Sequence, residues 1–180
     1  MSEDWIIVCD EKNLILKKND NNDYSLSFDI NENPENDFSV QEIINSNQFF
    51  ELLYELNKDI IENITDSSEN SINNINNLII KIKNLKSEFK TLKNVNIHLK
   101  FIYKFENNET SLCSIPFDNN FVSTEDNLYI STFLIKFKKN KPTNVLLTFK
   151  IDDIVDNDIF QMYLGLYFKK LFYRFKMYFE

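Results

Sequence analysis

Val95-Asn-Ile-His-Leu-Lys-Phe-Ile-Tyr-Lys-Phe105 carries an apolar side chain at every second position. Val95, Ile97, Leu99, Phe101, Tyr103 and Phe105 keep step, with Asn96, His98, Lys100, Ile102 and Lys104 between them. Successive strand side chains point to opposite faces, so this alternation predicts a long strand with one buried and one wet face. Residues 129–138 repeat the pattern, with Tyr129, Phe133, Ile135 and Phe137 inward and Thr132, Lys136 and Lys138 outward; Ser131 and Leu134 interrupt it. After a turn at 139–144, Val145, Leu147, Phe149 and Ile151 mark a third strand whose other face holds Leu146, Thr148 and Lys150. Ser111–Ile115 reads as a short edge strand ended by Pro116.

Upstream, Ser39 and Glu42 form a capping-box pattern ahead of Ile43 and Ile44, and open a helix expected to run to Ile61. Leu78, Ile82, Leu85, Phe89 and Leu92 recur at 4-3-4-3 spacing and predict a second helix. Between the two, residues 63–77 are polar, low in complexity and expected to form a loop. Asp153 or Asp156 is placed to cap a last helix over about 157–178, which is apolar almost all round and so expected to be covered on more than one side. The expected fold is α+β: three or four antiparallel strands with the helices on one face. Residues 1–38, with short apolar runs at 5–9 and 13–16 and an alternating segment at 24–28, read as an acidic extension, and 39–180 as the domain proper.

The net charge of −8 is unevenly spread. Residues 1–80 hold 4 Lys against 17 Asp and Glu, whereas 81–180 hold 16 Lys and Arg against 11. Such a split suits a polyanion-binding half beside an acidic appendage, or simply solvated faces of two signs. Cys9 and Cys113 stand far apart with no clustered His, which argues against zinc and for reduced thiols in a cytoplasmic protein. No apolar run is long enough for a membrane span. The single Gly excludes a glycine-rich phosphate loop. No catalytic constellation, metal site or cofactor is indicated. The acidic group at Asp152, Asp153, Asp156 and Asp158 suits a helix start.

Alternation aligns Lys100, Lys104, Lys136, Lys138 and Lys150 on the wet face, joined by Lys139 and Lys141 in the turn, with His98 among them. Such a face neutralises phosphates, or is merely a solvated antiparallel face. The aromatic last helix, with Phe160, Tyr163, Tyr167, Phe168 and Phe172, is expected to expose a partner surface.

Three short segments resemble a known family. Val95-Asn-Ile-His-Leu-Lys100 is similar to the first strand of the signal recognition particle's fourteen-kilodalton subunits. Gln48-Phe-Phe-Glu-Leu-Leu53 resembles their first helix, and Phe160-Gln-Met-Tyr163 the opening of their last. The resemblance implies a helix–three-strand–helix fold and a heterodimer with the nine-kilodalton subunit. It further implies binding to the Alu domain of 7SL-type RNA through Lys100, Lys136, Lys138 and Lys150, and a part in elongation arrest on the ribosome during protein targeting. Ile115-Pro116 matches the family's loop, but the lysines around it and the basic tail are missing. The alternatives are a protein-interaction module of helix–sheet–helix type, or a membrane-surface binder using Lys169, Lys170, Arg174 and Lys176.

Overall fold

The computed structural model describes residues 4–21, 23–46, 48–66, 75–83, 85–86, 91–92, 95–117, 127–130, 132–150 and 158–180. In chain order the elements are β1 (Ile6–Glu11), β2 (Leu14–Lys18), β3 (Asp23–Ile30), α1 (Val40–Asn45), α2 (Phe49–Leu56), β4 (Ile61–Asp66), β5 (Ile75–Ile82), β6 (Leu85–Lys86), β7 (Thr91–Leu92), β8 (Val95–Glu106), β9 (Glu109–Ser114), β10 (Asn127–Ile130), β11 (Thr132–Lys138), β12 (Thr143–Lys150) and α3 (Asp158–Phe179). Ten strands make one sheet in the order β1-β2-β3-β12-β11-β9-β8-β5-β4, with β10 also paired to β8, while β6 and β7 pair apart from it. This corrects the expected sheet of three or four strands.

Strands stand where alternation places them, but the one expected over 129–138 is two, β10 and β11, and in β10 Leu128 and Ile130 are buried in place of the expected Tyr129. The long one, β8, divides its pairing: Phe101–Glu106 run antiparallel to β9, and Asn96–Leu99 run parallel to β10. The chain passes β8 as β10, then moves over one strand as β11 where β9 ends. There the Ser114 hydroxyl accepts the Phe133 N–H at 3.0 Å. Segment 111–115 is therefore interior, since β9 is flanked by β8 and β11. Pro116 follows the strand and takes nothing from its ladder.

Residues 6–30 enter the same sheet through β3, which pairs with β12 from Tyr24 against Phe149 to Ile30 against Thr143. The expected helix at 78–92 is instead β5 and the β6–β7 pair, with Phe89 outside the described residues. Leu78, Ile80 and Ile82 are all buried, a period of two. The branched residues of Leu-Ile-Ile-Lys-Ile favour the extended chain, where their stiff side chains pack well. The helix expected over 39–61 is two helices, α1 and α2. Its capping box is formed, with Ser39 and Glu42 bonding each other's backbone N–H. Ile61 opens β4. The candidate caps Asp153 and Asp156 lie outside the described residues.

The buried face of the sheet meets α1, α2 and α3. Leu26, Phe28, Val145, Leu147, Phe149, Ile135, Phe137, Phe101 and Ile80 point toward Phe49 and Leu53 of α2 and Leu164, Phe168, Leu171, Phe172 and Phe175 of α3, all buried. Phe49 lies at the centre, its ring 5.5 Å from Phe137, 5.2 Å from Phe175 and 6.0 Å from Phe172.

Candidate functional site

The site that the fold builds is the apolar space between the sheet and its helices. Five strands, α2 and α3 line a hollow of about 30 Å³ whose walls, among them Phe49, Leu99, Phe133, Leu147, Phe168 and Phe172, are entirely apolar. Such walls offer dispersion and the hydrophobic effect and no hydrogen bond. Aromatic rings take up the remaining space, with Phe149 stacked on Tyr24 at 5.2 Å and packed on Phe168 at 4.7 Å.

Polar clasps hold α3 over this space along both flanks. On one side the Arg174 guanidinium pairs with the Asp59 carboxylate through Nη1 and, at 2.9 Å, through Nη2. Arg174 also donates to the Leu56 carbonyl and the Asn57 side chain, and the Tyr167 hydroxyl donates to the Ile60 carbonyl at 3.4 Å. On the other side Lys169 donates to Cys9 and Glu11 of β1, and the Lys12 ammonium lies 4.3 Å from the centre of the Tyr173 ring. At the end of the helix, Lys176 donates to the Asp29 carbonyl and to Glu180, and the Asn33 N–H donates to the Phe179 carbonyl.

The hydrogen bond from Arg174 holds the Asp59 carboxyl down at about 2. Burial pushes the Tyr103 hydroxyl up to about 12 and the Tyr167 hydroxyl upward. Because the folded Asp59 titrates below its unfolded value of ~3.9, its contribution is complete above that pH and is lost as pH falls toward ~2. Asp59→Asn should therefore flatten the stability-versus-pH curve between pH ~4 and ~2. Denaturant melts across that range check it, and equal slopes in the two proteins would exclude the clasp.

The outer face holds the lysines expected there, as strand alternation requires. One row runs Lys104–Ser111–Lys136–Leu146–Ser27–Ile15–Asp10 across seven strands. It is not a uniform cationic surface. Lys136 pairs with Glu109 at 3.0 Å, which also raises the Lys136 pKa, and Lys138 stands opposite Glu109 and Asn144. Lys150 stands opposite Asp23, and Lys100 opposite Asn77. Lys139 and Lys141 are exposed in the turn. The ring of His98 stacks on Tyr129 at 4.4 Å, and its Nε2 lies 3.2 Å from the Asn127 side chain. A wider hollow of about 850 Å³ opens on this face between Ile15, Asp29, Lys138 and Leu146. Among its lining groups Asn144 donates to Asp29 at 2.6 Å and Lys136 pairs with Glu109. Phe168 and Phe172, expected on a partner surface, are buried in the chain's own core, while Tyr163 and Tyr167 are half-buried. The Phe160 side chain lies outside the described residues.

No family model matches the chain, and no curated protein matches it in sequence. Solved structures do. The human StarD13 (DLC2) lipid transfer and protein localization domain aligns over 99% of this chain and 90% of its own, with a TM-score of 0.67 and 10% identity. The fold is that of StAR-related lipid transfer domains. Human STARD10 aligns over 94% of this chain and 72% of its own, at a TM-score of 0.62 and 9% identity. Human StAR-related lipid transfer protein 5 does so over 98% and 88%, at 0.58 and 11%.

These likenesses overturn the resemblance to the fourteen-kilodalton signal recognition particle subunit. With it fall the signal recognition particle RNA, the nine-kilodalton partner, the Alu-domain role and elongation arrest. The matching segments are four to six residues long, and the helix–strands–helix order they follow is part of a larger sheet. Sequence reasoning found the inward residues of β11 and β12 and Ile97, Leu99 and Phe101 of β8, but Phe105, expected inward, is 58% exposed where β8 runs past the helices. The enclosed space, which depends on α2 and α3 arriving over one continuous sheet, was not legible. Among the described residues no helix is long and apolar enough to cross a membrane, and no group of metal-binding side chains is found.

Proposed function

We propose that the protein binds one apolar, lipid-class molecule between the sheet and α3, and acts as a binder or carrier and not a catalyst. The observation that carries this reading is the wholly apolar lining of the interior, in a fold shared with proteins named for lipid transfer. The lysine-bearing outer face is then surface. The two free thiols suit a reducing compartment such as the cytoplasm.

The hollow is about a tenth of the smallest usual ligand pocket. A lipid chain therefore enters only by displacing rings such as Phe168 and Phe172, which means moving α3. The clasps along α3 are electrostatic and lie at the rim, so they can open without exposing the whole core. Incubating the chain with vesicles carrying a fluorescent fatty acid or phospholipid tests this. Saturable uptake of one molecule per chain is expected, and Phe172→Ala should increase it several-fold by vacating space beneath the helix. Absence of saturable uptake in both proteins would end the lipid reading.

A further inference from the structure

One pair of reactive side chains has no part in the apolar interior. Lys169 of α3 brings its Nζ to 2.7 Å from the Cys9 sulfur of β1, 160 residues away in sequence, and to 3.2 Å from Glu11. The Lys169 side chain keeps only 11% of its exposure, a degree of burial that lysines seldom accept. A separation of 2.7 Å is short even for N–H···O, and sulfur is larger than oxygen, so nothing stands between the nitrogen and the sulfur. Glu11 holds the ammonium from its other side, and Lys12 over Tyr173 repeats the link between strand and helix one turn along. Cys9 is half-buried on the sheet's edge strand, within reach of small oxidants.

We propose that oxidation joins Cys9 to Lys169 through a reversible sulfenamide bond between Sγ and Nζ. Hydrogen peroxide supplies the oxidising equivalents. The Cys9 thiolate attacks one peroxide oxygen, the O–O bond breaks, and sulfur is oxidised to the sulfenic acid as the other oxygen leaves as water. The Lys169 amine, having released its proton, then attacks sulfur. The S–N bond forms as the S–O bond breaks, and the hydroxide leaves as a second water with a proton from nitrogen. Thiol, amine and one peroxide thus yield one S–N bond and two waters. Sulfenic acids condense with thiols and with nitrogen in this manner. Cys113 is the internal contrast. It too is half-buried, but its sulfur lies 3.7 Å from the Ser111 hydroxyl, which offers no nitrogen. It also sits five strands from Cys9, outside disulfide reach.

The bond fastens α3 to the sheet edge. If the interior takes up lipid as proposed above, the oxidised protein exchanges it more slowly; that consequence rests on the lipid reading, whereas the bond does not. The test treats the full chain with hydrogen peroxide, digests it with chymotrypsin and analyses the peptides by mass spectrometry. The expected product is a linked pair containing Cys9 and Lys169, lighter by two hydrogens than its separate peptides and released by dithiothreitol. Cys9→Ser and Lys169→Arg should both abolish it, although arginine keeps the charge and the donor to sulfur. Recovery of Cys9 as an unlinked sulfinic acid would overturn the proposal. So would a link that retains an oxygen, or one that survives Lys169→Arg. Lipid uptake measured on the linked protein is the separate arm: a bond that forms without slowing uptake overturns the coupling to the interior alone.

Discussion

Phe49→Ala is expected to destabilise the protein by about 3–5 kcal/mol, the usual range for deleting a fully enclosed aromatic ring. Phe49 is completely buried, and its ring touches those of Phe50, Phe137, Phe172 and Phe175 at 4.9–6.0 Å. It therefore joins α2, β11 and α3 at one point. The helix that carries it has eight residues and no side-chain cap at Gln48. A helix so short is marginal alone and is held by what it buries. Losing the ring costs the transfer of its carbons, the cavity left behind and several edge-to-face contacts. For a chain of this size the midpoint of thermal unfolding should fall by roughly 10 °C. Phe38→Ala is the control: Phe38 is 52% exposed, and its loss should stay within about 0.5 kcal/mol. Urea unfolding with an unchanged m-value checks both. A cost for Phe49→Ala below about 1.5 kcal/mol would mean that the surrounding rings collapse into the space, and that the interior is more pliable than its aromatic packing indicates.

What could be read from the sequence follows from the range over which each signal acts. Alternation is local, so β8, β11 and β12 were legible with their faces, save Phe105 at the exposed end of β8, and so was β3 from Tyr24-Ser-Leu-Ser-Phe28. The number of strands was not. The pairing of β3 with β12 spans more than a hundred residues, and nothing within either segment specifies the other. β5 shows how a stripe can mislead. Leu78, Ile82 and Leu85 lie on one face of a helix, but Leu78, Ile80 and Ile82 equally lie on one face of a strand, and the sheet edge offered by β8 decides between them. The family resemblance failed for a related reason. Short motifs of Phe, Ile, Leu and Lys recur by chance in a chain built largely from such residues.

The lysine face was placed correctly by the same alternation, yet placement did not supply a role. Lys136 meets Glu109 only because β9 lies beside β11, a neighbour that alternation along one strand does not reveal. The clasps on α3 are likewise products of the fold. Asp59 lies in a turn and Arg174 on a helix, and Cys9 and Lys169 stand near opposite ends of the chain. The near absence of a polar face on α3 was legible, and the structure accounts for part of it: the sheet and α2 bury Leu164, Phe168, Leu171, Phe172 and Phe175 and leave Tyr167 and Tyr173 half-buried, while Met162, Met177 and Tyr178 stay exposed.

Gly165→Leu is expected to have the second large effect, and Gly165→Ala a smaller one of the same sign. Replacing a helical glycine by alanine ordinarily gains about 1 kcal/mol. Here a Cβ would stand 2.7 Å and 2.9 Å from two ring carbons of Tyr24 and 3.4 Å from Leu16. The Tyr24 ring cannot yield easily, being fully buried and stacked on Phe149. Overpacking of this kind costs about 1–3 kcal/mol and occasionally more. The clash therefore outweighs the propensity gain for alanine, by about 1 kcal/mol on balance, and by several for leucine, whose three further carbons have nowhere to go. The double-mutant cycle with Tyr24→Leu isolates the cause, since residues in contact couple by about 0.5–3 kcal/mol. In the Tyr24→Leu background, Gly165→Ala should change sign and stabilise, because only the helix propensity remains. If Gly165→Ala stabilises the otherwise unaltered protein, α3 does not rest on Tyr24 closely enough to exclude a methyl group, and the interior beneath the helix has room that the filled hollow denies.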